Sequence, residues 1–245
     1  MKIIDDLLAT LDLRASARDI RMGLFHTAVL TRNCGLATTM PRDIFQQTYE
    51  GSTSIKDPGY LLEKDMQELA RMVYSERIPE AAIGMATINS LLDINESYCL
   101  ELNAGDLIAE KGAGKKVAII GHFPFTGKLR KIASELWVIE KNPRTGDFVE
   151  AEAENLIPRA DVVGITGTAF TNHTIEHLLE LCNPEAYKVV LGGTTPLSPV
   201  LFDYGIDAIS GTKVIDPQLV LRCVSQGATY PQIKGVKKLT MMRQK

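Results

Sequence analysis

The second half of the chain repeats one pattern: a short apolar run, then a loop rich in glycine, threonine or proline, then a stretch with helical spacing. The apolar runs lie at 117–121 (VAIIG), 136–140 (LWVIE), 161–166 (DVVGIT), 187–191 (YKVVL) and 207–210 (DAIS). Runs this short and continuous, without polar alternation, read as strands buried on both faces. Between and after them, residues 126–134, 151–156, 172–182, 199–204 and 217–226 fit helices. Repeated strand–helix units with right-handed crossovers predict an α/β fold, a Rossmann-like parallel sheet with helices on both faces. Residues 234–245 are locally basic and read as a solvated tail.

The texture is different before residue 105. A helix is expected over 1–13, with Ile3, Ile4, Leu7, Leu8 and Leu11 on one face. Two strand-like runs follow at 20–31 and 34–40, joined by a tight turn at Arg32-Asn33. Residues 51–59 read as a loop, and helices fit 63–75 and 79–92, the second opening on Pro79. Gly84, Ala86 and Asn89 are small or polar residues inside this otherwise apolar helix. Helix, strands and helices in that order make an α+β unit. The glycine-bearing stretch 103–116 reads as a connector, so the expected domains are 1–105 and 106–245.

Charge and composition narrow the partners. A net charge of −3 leaves no basic field for nucleic acid. No apolar run approaches the length of a bilayer span, so no membrane partner is expected. The N-terminus lacks the architecture of a signal peptide. Cys34, Cys99, Cys182 and Cys223 are widely spaced, which suits reduced thiols and a cytoplasmic location.

In a doubly wound sheet, ligands bind beyond the carboxyl ends of the strands. There the sequence places GHFPFTG (121–127), TGTAFTN (166–172), GGTTP (192–196) and SGT (210–212). Glycine admits a ligand close to the backbone, and helix starts after such loops offer free N–H groups. Candidate ligand-binding residues are therefore Gly121, His122, Phe123, Thr166, Gly167, Thr168, Asn172, His173, Gly192, Gly193 and Thr194. Asn89, and Thr27 more weakly, are candidates from the N-terminal side. His122 is the candidate for proton transfer, since histidine titrates near neutrality. Glu140 follows Gly121 by 19 positions, close to the roughly 20 expected of a ribose-binding acid.

Several motifs fail in detail. GHFPFTG puts bulky rings where a dinucleotide fingerprint needs small residues, and Leu129 stands where a P-loop needs Ser or Thr. His173 to His177 spell HxxEH, a zinc-hydrolase pattern, but at an expected helix start capped by Asn172 and without a third ligand. His173 and His177 are thus weak metal candidates. His26 lies within a strand and reads as a packing residue.

Taken together, AIGMATINSLL (82–92), VAIIGHFPF (117–125), DVVGITGTAFTNHTIEHLLEL (161–181) and LGGTTPLSPVLFDYGIDAISGTKVID (191–216) resemble a bacterial and archaeal family described as "putative heavy-metal chelation". The resemblance covers nearly the whole chain. It implies an enolase-N-terminal-like α+β domain followed by a Rossmann-like domain, and a role in metal handling. It names no catalytic residue. The expected function is a small-molecule-binding protein or enzyme of metal-related chelator or cofactor (pterin- or flavin-like) metabolism, with the ligand at the interdomain cleft. Three alternatives stay open: a transferase using an S-adenosylmethionine-type cofactor, a direct metal binder through His173 and His177, and a non-catalytic assembly protein. The partner expected is a small molecule or a metal chelate. The N-terminal strands offer an edge for a homo-oligomer, but no sequence feature decides that, the cofactor, or whether a reaction occurs.

Overall fold

The computed structural model describes residues 1–39 and 55–244, so residue 40 and residues 51–54 of the expected strand and loop lie outside the described residues. Two sheets organise the chain. The first has three antiparallel strands in the order β1 (Asp19–Met22), β2 (His26–Leu30), β3 (Cys34–Thr38). The expected single strand 20–31 is two strands, because the chain folds back at Gly23. That glycine N–H donates to the His26 carbonyl, and a Cβ there would lie 2.1 Å from the Val224 carbonyl oxygen.

All five β2 residues are buried, because both faces of this small sheet are covered. Helix α1 spans Lys2–Ala9 and α2 spans Met66–Arg71. Helix α3 (Ile78–Leu91) is buried along nearly its whole length and carries Val29 and Ala37 of the sheet into one core with α1 and α2. At Gly84 the backbone of Val73 comes within 2.0 Å of where a Cβ would stand, so the small residue seen in the sequence permits that approach. On the opposite face Ala28, Leu30 and Leu36 meet Val220, Leu221 and Val224 of a helix from the far end of the chain, which spans Pro217–Ser225.

The second sheet has eight strands. In chain order they are β4 (Cys99–Leu100), β5 (Lys116–Ile120), β6 (Glu135–Glu140), β7 (Phe148–Val149), β8 (Val162–Thr166), β9 (Tyr187–Leu191), β10 (Ala208–Val214) and β11 (Val236–Met242). Their spatial order is β4-β11-β10-β9-β8-β5-β6-β7. From β10 to β7 every pairing is parallel, and β11 pairs antiparallel with both β10 and β4. This is the large, parallel-rich, helix-flanked sheet of the expected α/β fold.

Three expectations need correction. Residues 236–242 are no solvated tail but a strand inside the sheet, with Thr240 fully buried. Its KKLTMM pattern buries Leu239 and Met241 while the lysines stay at the surface. The connector at 103–116 contains a helix, α4 (Ala104–Gly112), capped by the Asn103 side chain. Helix α5 (Thr126–Leu129) and helix α6 (Ala153–Leu156) are shorter than expected or flanked by 3-10 turns. The expected helix 172–182 is α7 (Ile175–Leu181), and the closing helix already described is α8.

The two parts share packing. The Ile3 N–H at the start of α1 donates to Glu176 of α7 at 2.7 Å, and Tyr204 donates to Asp6. One core runs from Ile3 and Leu7 to Phe170 and Ile175.

Candidate functional site

Chain direction creates the crevice. From β5 the chain moves to β6 on one side and later returns to β8 on the other. The loops leaving β5 and β8 therefore diverge, as at the switch point of any doubly wound sheet. The edge of the small sheet closes the opening into a cleft of about 540 Å³.

The β5, β6 and β8 ends supply one wall. Gly121 ends β5 with φ +103, and a Cβ there would lie 3.1 Å from the Thr166 Cβ. This turn puts His122 and Phe123 in the cleft. Phe123 stacks on Phe125, with ring centroids 5.2 Å apart. Glu140 enters from the end of β6, beside Lys141 and Arg144. Thr166 and Thr168 line the β8 side with their hydroxyls 3.0 Å apart. Asn172 follows; its carboxamide oxygen accepts from the Thr174 hydroxyl at 2.7 Å.

His122 has structured support. Its Nδ1 lies 3.3 Å from Oδ2 of Asp147, whose side chain is 1% exposed. Arg130 donates to the other Asp147 oxygen at 3.3 Å, and the Arg144 backbone N–H donates to Oδ2 at 3.2 Å. With Nδ1 engaged, Nε2 is the nitrogen left for an occupant of the cleft.

Phe25, His26, Thr38 and Tyr230 form the facing wall. Side chains alternate along β2, so His26 shares the face of Ala28 while Thr27 turns to the other face. Thr27 accordingly pairs with the Thr39 hydroxyl at 2.9 Å and does not line the cleft, which corrects its expected role. His26 packs as expected and also lines the cleft. Its ring centroid lies 5.9 Å from that of Tyr230, and burial holds its pKa down to about 4, against a smaller opposing effect of a backbone hydrogen bond with Ala37. Near neutral pH the imidazole is uncharged. Burial also pushes the Tyr230 phenol up, while its hydroxyl is 2.6 Å from that of Thr212.

The other candidates sit elsewhere. Gly167 permits a close approach to Thr195, whose backbone nitrogen would lie 2.6 Å from a Cβ. Gly192 has φ +124, and Gly193 lies under the Tyr230 ring. Thr194 is a clamp: its hydroxyl accepts from the Thr38 N–H at 3.0 Å and pairs with the Thr38 hydroxyl at 3.1 Å. Asn89 donates to the Leu36 and Thr194 carbonyls at 2.8 and 3.1 Å and borders a separate 260 Å³ cavity. The β9 loop is thus used to dock the small sheet rather than to line the cleft.

His173 precedes α7 in a left-handed conformation with φ +62, and its Nε2–H donates to the Val73 carbonyl at 2.7 Å. Thr174, not Asn172, is the N-cap residue. His177 is exposed and 2.9 Å from Glu154. The HxxEH histidines are therefore directed to separate protein partners. Among the described residues, no group of three or more His, Cys, Asp or Glu is spaced to hold a metal ion.

Tyr230 of the cleft and Asp147 behind it come from stretches with no repeated pattern. Tyr230 opens a 3-10 turn, and the glycines Gly227 and Gly146, at φ +73 and +87, mark the turns before the two residues.

Fold and cleft together define a mixed α/β protein, its large parallel-rich sheet flanked by helices, with a ligand-sized crevice at the strand-order switch. The chain belongs to the family described as "putative heavy-metal chelation": two models of that description match residues 4–92 and 103–243. It is 28% identical to an uncharacterised protein of Methanocaldococcus jannaschii over 91% of this chain and 88% of that one. A crystal structure from Desulfitobacterium hafniense, of a protein of unknown function from the same family, superposes with a TM-score of 0.84 at 25% identity, covering 99% of this chain and 98% of that one. A second, from Pyrococcus horikoshii, has a TM-score of 0.82 at 20% identity with the same coverage and shares the fold. No helix among the described residues is long and apolar enough to cross a membrane.

Proposed function

We propose that the protein binds a flat, heteroaromatic metal chelator, or its metal complex, in the cleft between the small sheet and the β5, β6 and β8 loops. One observation carries this reading: the cleft presents aromatic rings and two histidines from opposite walls, and among the described residues no cluster of protein ligands is spaced to enclose a metal. A metal handled here arrives with ligands of its own. Phe25, Phe123 and Tyr230 supply faces for stacking. Neutral His26 and the Thr38, Thr166 and Thr168 hydroxyls supply polar edges. A volume of about 540 Å³ is within the range of small-molecule sites.

Two measurements test this. A native mass spectrum of the protein as purified should show an adduct of a few hundred daltons. Calorimetry should show saturable binding of 8-hydroxyquinoline-5-sulfonate, of 2,2′-bipyridine and of their nickel(II) complexes, each tighter than binding of the nickel aqua ion. His122→Ala and Asn172→Ala should weaken chelator binding without lowering the melting temperature much, because both lie at the cleft and outside the core. Tightest binding of the bare aqua ion would instead support direct metal coordination. No binding of any of these would remove the reading.

A further inference from the structure

We propose that His122 is the proton acceptor of the cleft: its Nε2 takes the acidic proton of a bound chelator as that chelator coordinates a divalent metal. This rests on the chelator reading above and assigns the reaction at that site.

The two cleft histidines have different surroundings. His26 is buried, with no carboxylate at its ring among the described contacts, and stays neutral. His122 has a carboxylate behind it, and that carboxylate is itself held: Asp147 is out of solvent, with Arg130 on one oxygen and the Arg144 N–H on the other. An anionic acceptor at Nδ1 keeps the ring hydrogen on Nδ1. The lone pair of Nε2 is then directed away from Asp147, on the side of the ring left to the cleft. A histidine oriented by a buried carboxylate is one arrangement that serves general-base catalysis.

The chemistry calls for such a base. Chelators with O–H or N–H donors lose a proton when they bind a metal. In the proposed step the chelator O–H bond breaks and its electron pair becomes the oxygen–metal bond. A water leaves the metal, and the proton goes to Nε2 of His122. The imidazolium then returns the proton to solvent, which its partly exposed ring reaches. No electrons are exchanged. Asp147 is a positioning residue, because it holds the histidine from behind and does not itself line the cleft.

The test compares two chelators on the whole protein. 8-Hydroxyquinoline-5-sulfonate loses a proton on binding nickel(II); 2,2′-bipyridine does not. At saturating chelator, His122→Ala should slow nickel loading of bound hydroxyquinoline about 100-fold more than it slows loading of bound bipyridine. At equilibrium without metal, wild type should bind the hydroxyquinoline about tenfold more tightly than its O-methyl ether, and His122→Ala should bind the two alike. Asp147→Asn offers an N–H to Nδ1 and moves the ring hydrogen to Nε2. It should slow hydroxyquinoline loading as His122→Ala does while bipyridine loading persists. Equal slowing of both chelators, or equal wild-type affinity for the hydroxy and methoxy compounds, would overturn the proposal and leave the binding reading intact. Failure of wild type to bind either chelator would overturn both.

Discussion

At the residue scale, burial decides chemistry that residue type alone leaves open. His26 keeps a native pKa of about 4 against an ordinary 6.5. The unfolded chain therefore takes up a proton near pH 6.5 that the native state refuses until about pH 4. Stability from this group is complete above about pH 7 and is lost as pH falls toward 4, by roughly 3 kcal/mol in all. Urea midpoints measured from pH 7 to 4.5 should fall more steeply in wild type than in His26→Phe; parallel slopes would refute the assignment. Cys34 has a related origin. Burial, with Asp19 adding a smaller contribution, pushes its thiol up to about 12, so alkylation of the native protein at neutral pH should leave it unmodified. Gly121 tests backbone shape. At φ +103, beside Thr166, Gly121→Ala should cost about 1–3 kcal/mol, read as a lower melting temperature.

At the element scale, β11 differs most from its sequence. KKLTMM is short, lysine-bearing and C-terminal, which reads as a solvated end. Yet the strand fills the place between β10 and β4, and the buried Thr240 hydroxyl lies 2.7 Å from that of Ser210 and donates to the Leu102 carbonyl at 2.9 Å. Thr240→Val leaves the buried Ser210 hydroxyl and the half-buried Leu102 carbonyl without that partner and should cost about 1–3 kcal/mol, measured by denaturant unfolding. Deleting residues 236–245 should abolish soluble expression, since it bares the whole β10 edge; a soluble, fully stable truncation would show the strand to be dispensable. The same scale explains β2, which lacks alternation because α3 and α8 cover both faces.

At the scale of the whole molecule, the cleft exists because the small sheet is clamped to the β9 loop. Thr194 holds Thr38, and Asn89 spans from the Leu36 to the Thr194 carbonyl. Thr194→Val should lower the melting temperature and also weaken chelator binding, because Thr38 lines the cleft. His122→Ala should weaken binding with little change in melting temperature. Calorimetry and thermal melts on the two variants separate a clamp from a contact.

The parallel part of the large sheet was legible because each buried strand leaves a local trace, an apolar run ended by a glycine-rich loop. The position of the β5 and β8 loops at the carboxyl ends followed from that order, and with it Gly121, His122, Phe123, Thr166 and Thr168. What stayed hidden depends on partners far along the chain. Asn89 and Thr194 read as ligand contacts, but each meets a residue more than a hundred positions away. His26 faces Tyr230 only because α8 and its following turn return to the first sheet. Asp147 supports His122 across 25 residues of loop and strand. Hydrophobic periodicity is a local property and so appears in the sequence. Which polar side chains meet across a cleft is set by how sheets pack, and the tertiary structure alone decides it.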